Sequence, residues 1–214
     1  MKALFFDLDG TLLDTAQDFA HTINIMLAKI NKPPVDFHLF REQVHAESKR
    51  MISYAFNLNE NDPLFEPIRE DFLNTYHKNC TQKTVFFEDM EKVLDHLDEE
   101  KIPWGIITNK PTWLTTPIVK HFKLDRRASC IIAGDTLAKC KPDPLPLLYA
   151  CERTNVMPTD AGYVGDLETD VLSARNAGMK SIAVSFGYHA PNTDLSTWGA
   201  DHVVQTADDI MKLL

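Results

Sequence analysis

Among the four cysteines, Cys80, Cys130, Cys140 and Cys151, there is no CxxC pair and no zinc-type spacing. No signal peptide precedes them, so the expectation is reduced thiols in a cytoplasmic protein, not a disulfide scaffold or a zinc module. No apolar stretch is long enough to span a bilayer. The 22 Lys and Arg form no long run and the formal net charge is -9. General affinity for nucleic acid or acidic membranes needs basic patches and is therefore excluded, so an anionic partner must be met locally. There is no internal repeat and no low-complexity segment. What remains is a chain of 214 residues, 44% of them hydrophobic, which suits one domain with an insertion or two small domains around a substantial core.

The chain is organised around Phe5-Phe6-Asp7-Leu8-Asp9-Gly10-Thr11. Ala3 to Phe6 read as a short strand buried on both faces, ending at a sheet edge where its last side chains can meet a ligand. Asp7 and Asp9 are two apart, so on extended chain they point the same way and repel unless a cation or proton intervenes. Gly10 permits a sharp turn, and Thr11, Asp14 and Thr15 can satisfy free backbone groups there and cap a helix after it.

Ala16 to Ile30 carry a helical stripe, stopped by Asn31-Lys32-Pro33-Pro34. The spacing predicts two more helices, from about Phe37 to Phe56 and from about Leu64 to Tyr76. After a helix over Met90 to Leu97, helix and strand alternate, with strands expected at Ile102 to Thr108, Cys130 to Ala133, Gly162 to Val164, Ser181 to Val184 and His202 to Val204. That pattern implies an α/β fold, a three-layer Rossmann-like core whose mainly parallel sheet binds ligands beyond its carboxyl strand ends. The helical stretch interrupts it as an inserted all-helical cap above the turn. The expected organisation is core over 1–15 and 82–214 and cap over 16–81.

Three later strand ends carry polar residues that the topology would bring to Asp7 and Asp9. Thr108-Asn109-Lys110 offers a hydroxyl and backbone N–H groups for phosphate oxygens, or is an ordinary strand end before a helix. Lys141 precedes Pro142-Asp143-Pro144 and could meet an anion at a helix start, or be simply solvated. Gly165-Asp166 is followed four residues on by Asp170, so both carboxylates could face one site or serve as helix N-terminal acids. Together, four aspartates and one lysine give a formal charge of -3 at one sheet edge. A hard divalent cation, most plausibly magnesium, resolves that repulsion and can clamp a phosphate. A calcium EF-hand would need glycine sixth and glutamate twelfth, where counting from Asp7 gives Leu12 and Asp18.

The order Asp-x-Asp-Gly-Thr, Thr-Asn, Lys-Pro and Gly-Asp-x-x-x-Asp, with a helical insertion after the first, resembles the haloacid dehalogenase superfamily of phosphatases across the whole chain. The resemblance implies that Asp7 is the nucleophile and Asp9 the general acid and base. It implies that Thr108 and Lys141 act on the phosphoryl oxygens, with Asn109 beside them in the substrate site. Asp7, the Asp9 carbonyl and Asp166 would bind Mg2+, with Asp170 as an outer or secondary ligand. An aspartate at position 9 sets the chain apart from the true dehalogenases. The cap resembles that of the phosphoglycolate phosphatase group. Trp104 to Pro111, Gly187-Tyr188-His189 and Trp198 to Asp201 are similar to the N-acetylmuramic acid 6-phosphate phosphatases of cell-wall recycling. Where a glycine-rich substrate loop is expected, the cap instead has His45 to Arg50, whose Lys49 and Arg50 are candidate substrate contacts. The expected partner is a small phosphorylated metabolite, probed against two alternatives: a sugar phosphomutase of the same architecture and a non-catalytic binding protein.

Overall fold

The computed structural model describes the backbone of residues 1–214 and the side chains of all but Ala46 and Glu47. In chain order the strands are β1 (Ala3–Phe6), β2 (Leu13–Asp14), β3 (Val85–Phe86), β4 (Trp104–Ile107), β5 (Cys130–Ile132), β6 (Ala161–Gly165), β7 (Lys180–Val184) and β8 (His202–Val204). The α-helices are α1 (Ala16–Lys29), α2 (Phe37–Arg41), α3 (Glu47–Phe56), α4 (Phe65–Asn79), α5 (Met90–Glu99), α6 (Thr112–His121), α7 (Leu145–Thr154), α8 (Glu168–Ala177) and α9 (Ala207–Met211).

Among the described residues six strands form one sheet in the order β5-β4-β1-β6-β7-β8, and every pairing in it is parallel. β1 lies in the middle, so its four apolar residues are buried on both faces. Alternation sends Ala3 and Phe5 to one face, where they join Tyr163 and residues of α7 and α8 such as Leu147, Ala150 and Ala174. Phe6, on the other face, meets Trp104 edge-on with ring centroids 6.5 Å apart, and the Trp104 indole N–H donates to Asp98 of α5. β2 and β3 make a separate antiparallel pair just after the Asp7 to Thr11 turn. Two residues per strand carry too little periodicity to be seen in the sequence.

Contacts divide the chain into two compact units. One comprises Met1–Asp14, Val85–Gly187 and Thr193–Leu214; the other comprises Thr15–Thr84 with Tyr188–Asn192. The second is built on α1 and α4, where Phe19 packs on Tyr76 at 4.5 Å between ring centroids and Tyr76 stacks on Phe72. Its two ends are tied by Asp18, a fully buried carboxylate that accepts hydrogen bonds from the N–H of Lys83 (2.9 Å), the N–H of Thr84 (3.0 Å) and the Thr84 hydroxyl (2.7 Å). Tyr188 joins this unit by accepting the Ala16 N–H at 2.9 Å, with the Arg41 guanidinium 5.0 Å from its ring centre.

One helix expected over Phe37 to Phe56 is instead two, with a 3-10 turn at Val44–Ala46 between α2 and α3. Asp36 caps α2 by accepting the Leu39 N–H. The break comes at Gln43, whose side-chain amide donates to the Leu39 carbonyl at 3.0 Å while its backbone N–H bonds Phe40 O instead. A side chain thus takes the acceptor that a continuing α-helix would use for its own backbone.

Candidate active site

Asp7 follows β1 directly, and its N–H extends the ladder by donating to Val164 O at 2.9 Å. The chain then turns back on itself: Leu12 and Leu13 donate their N–H groups to Leu8 O, and the Gly10 N–H donates to Leu13 O. Gly10 has φ of 84°, and a Cβ there would collide with the Asp166 carboxylate. Gly187 meets the same limit from the other side, since a Cβ on it would strike Asp166 and the Gly10 carbonyl. Glycine at both positions therefore lets Asp166, at the end of β6, come against the turn. The Thr11 hydroxyl holds it there, donating to Asp166 Oδ1 at 3.0 Å.

Of the sequence-predicted residues, Asp7, Asp166 and Asp170 come together, all buried, each offering a carboxylate oxygen within 4.8 Å of the others. Lys141 lies among them. Its ammonium donates to Asp170 Oδ1 (2.8 Å) and to the Tyr163 hydroxyl (2.8 Å), and stands 3.0 Å from Asp7 Oδ1 without hydrogen-bond alignment. Tyr163 passes its own hydrogen to Ile107 O at 2.7 Å. Asp170 uses its other oxygen to accept the Leu167 N–H at 3.0 Å, at the start of α8. Asn109 holds Lys141 by the main chain: its side-chain N donates to Lys141 O and its side-chain O accepts the Lys141 N–H, both at 3.0 Å. The Thr108 hydroxyl accepts the Lys110 N–H at 3.2 Å, so its own hydrogen can be given to a ligand.

The charges follow from these contacts. Burial, then the neighbouring carboxylates of Asp170 and Asp9, raises Asp7 to about 6, with Lys141 opposing. Burial would push Lys141 down, but Asp170 and Asp7 beside it hold it above the ordinary lysine value. The Tyr163 phenol is raised by burial and by the same carboxylates, so it stays a neutral donor.

Sequence reasoning named Lys110 without giving it a role. Its side chain is 5% exposed and its ammonium reaches both oxygens of Asp9, at 2.7 and 2.8 Å. With this second lysine the four aspartates carry a formal charge of -2, not the -3 counted with Lys141 alone. Tyr163 was also missed; it sits inside an apolar strand where a tyrosine reads as core. Lys49 and Arg50 belong to the other unit, on α3. Both are exposed: Lys49 pairs with Glu60 at 2.8 Å, and Arg50 donates to Gln43 Oε1 at 3.0 Å.

A divalent cation suits the donor set. The carboxylates of Asp7, Asp166 and Asp170 are hard oxygen donors gathered at one place, the donor chemistry that a hard divalent cation takes. Asp7 Oδ1, buried and without an aligned hydrogen bond, is an oxygen with capacity to spare.

A family model described as haloacid dehalogenase-like hydrolase matches residues 4–184. The N-acetylmuramic acid 6-phosphate phosphatase of Pseudomonas putida is 36% identical over all of this chain and 96% of its own length. The phosphoglycolate phosphatase of Xanthomonas campestris pv. campestris is 39% identical over 95% of this chain and 92% of its own. A solved structure from Haemophilus somnus 129PT, described as a predicted phosphoglycolate phosphatase, superposes with a TM-score of 0.86 at 26% identity, covering 100% of this chain and 97% of that one. A parallel sheet that gathers buried aspartates and lysine at its carboxyl edge, matched in this way, defines a phosphatase. The chain belongs to the haloacid dehalogenase-like hydrolases. Among the described residues no helix is long and apolar enough to cross a membrane.

Proposed function

We propose that this phosphatase is a magnesium-dependent phosphomonoester hydrolase that works through an aspartyl phosphate on Asp7. The observation that carries the reading is the gathering of Asp7, Asp166 and Asp170 around Lys141, with Asp9 two residues from the nucleophile. Asp7 attacks phosphorus, and the bond to the leaving oxygen breaks as Asp9 protonates that oxygen. Asp9 then takes a proton from the water that attacks the aspartyl phosphate, and inorganic phosphate departs. Thr108 donates its hydroxyl hydrogen to a phosphoryl oxygen, Asn109 keeps Lys141 in register, and Lys141 balances charge at the Asp7 oxygen it already faces. Asp7, the Asp9 carbonyl and Asp166 would hold magnesium, with Asp170 outside them. When bound, the metal supplies positive charge against the aspartates and the transferring phosphoryl group.

For substrate we favour N-acetylmuramic acid 6-phosphate, supported by the Pseudomonas putida relative, which the chain matches end to end. That amino sugar carries a lactyl carboxylate as well as its phosphate, and the carboxylate calls for a cation. Lys49 and Arg50 are the exposed candidates of the helical unit. Phosphoglycolate is the second reading, supported by the Xanthomonas relative at 39% identity. The test compares kcat/KM for the two phosphates, then repeats it in Lys49→Ala and Arg50→Ala, where a lost charge-assisted hydrogen bond costs ~1.5–3 kcal/mol. Preference for phosphoglycolate, or unchanged kcat/KM in both variants, overturns the substrate assignment and leaves the reaction class standing.

A further inference from the structure

We infer that Lys110 is a positioning residue for proton transfer, acting through Asp9 and not on the phosphoryl group. The inference rests on the reading of Asp9 as general acid and adds a residue to it.

The observation is a buried, two-pronged ion pair. Lys110 Nζ lies 2.7 Å from one Asp9 oxygen and 2.8 Å from the other, and its side chain is almost wholly enclosed. Contact with both oxygens holds the head of the Asp9 side chain in place, so its position is set by the lysine. The lysine is itself well anchored. Its N–H donates to Thr108 Oγ1, its carbonyl accepts the Gly134 N–H at 2.9 Å and the Thr115 hydroxyl at 3.2 Å, and it opens the turn into α6. A lysine with its backbone held on both sides and its side chain enclosed orients Asp9 instead of following it.

The division of labour with Lys141 supports this. Lys141 stands at Asp7 and Asp170, and Lys110 holds both oxygens of Asp9. In the transfer step the bond from phosphorus to the leaving oxygen breaks with its electron pair, a bond from Asp7 to phosphorus forms, and the proton of Asp9 moves to the leaving oxygen. A protonated carboxyl keeps one oxygen that can only accept. Lys110 claims that oxygen and so directs the O–H of the other toward the leaving group. Misplacing a reacting group by ~1 Å can cost ~10²-fold, so the grip matters for rate without Lys110 touching substrate.

The experiment measures kcat/KM, which reports steps up to release of the alcohol, for an alkyl phosphate and for 4-nitrophenyl phosphate. The aryl leaving group departs as an anion and needs no proton. Asp9→Asn, the reference, should lose ~10²–10⁴-fold on the alkyl ester and far less on the aryl ester. Lys110→Met should reproduce that selectivity with a smaller loss, and the double variant should be no worse than Asp9→Asn alone. Lys110→Arg, whose guanidinium fork also fits a carboxylate, should recover most of the alkyl activity. A Lys110→Met loss equal on both esters, or one that multiplies with the Asp9→Asn loss, overturns the inference: the lysine would then act on the phosphoryl group or on the fold. If Asp9→Asn itself shows no leaving-group selectivity, the underlying assignment of Asp9 fails instead, and the two failures are distinct.

Discussion

Removing the Lys141 charge perturbs the site at its most buried cation. Lys141→Met keeps the length of the side chain and deletes the ammonium. Asp7 at 3.0 Å and Asp170 at 2.8 Å, with side chains 9% and 2% exposed, then lose their shared counter-ion. Breaking a buried pair while its partners stay costs ~3–5 kcal/mol. At ~2–4 °C per kcal/mol for a chain of this size, the metal-free variant should melt ~6–20 °C below the parent. The deficit should also depend on pH. Burial, with Asp170 and Asp9, already raises metal-free Asp7 from 3.8 to about 6 against the pull of Lys141, and without that pull the carboxyl rises further. A carboxyl whose folded value lies above its unfolded one contributes stability while protonated, and that contribution is lost as pH rises through the folded value. The penalty of Lys141→Met should therefore be smaller at about pH 5 than at about pH 8. Thermal melts followed by circular dichroism, in chelator at both pH values, supply the numbers. A variant that melts within about 2 °C of the parent at about pH 8 would refute the reasoning, as would a deficit that shrinks when pH rises.

Three further variants test the metal-binding carboxylates and the tie made by Asp18. Asp166→Ala should weaken magnesium binding, measured by calorimetry, more than Asp170→Ala, because Asp170 is engaged by Lys141 and by the Leu167 N–H; the reverse order would contradict this. Asp18→Ala leaves the N–H groups of Lys83 and Thr84 without their acceptor. It should cost ~1–3 kcal/mol and speed hydrogen exchange at those two amides, and unchanged exchange there would remove the tie ascribed to Asp18.

Much of this was legible because the sheet is parallel and buried. Runs such as Ala3 to Phe6 and Gly162 to Val164 have no polar alternation to obscure them, and their polar ends mark the edge where a ligand must bind. Asp7, Asp166, Asp170 and Lys141 meet for that reason. The features that stayed hidden depend on side-chain reach. Tyr163 reads as an apolar strand residue until its hydroxyl is seen between Lys141 and Ile107. Lys110 reads as one more polar residue after a strand until its ammonium is seen on Asp9. The break between α2 and α3 turns on the Gln43 amide, which no hydrophobic period registers. In Trp198 to Asp201 the aspartate accepts from the Ser181 N–H and hydroxyl and pairs with Lys180, so that stretch braces β7.

The central claim is that Asp7 carries the phosphoryl group covalently, and trapping it there is the most direct test. Asp9→Asn should slow hydrolysis of the intermediate, so this variant is mixed with magnesium and substrate, quenched in acid and reduced with borohydride. An aspartyl phosphate is converted by that treatment to homoserine, which peptide mass spectrometry should place at position 7. Asp7→Asn, correctly folded, should show neither homoserine nor phosphate release. Homoserine at another position, or ordinary phosphate release by the folded Asp7→Asn protein, would contradict the account.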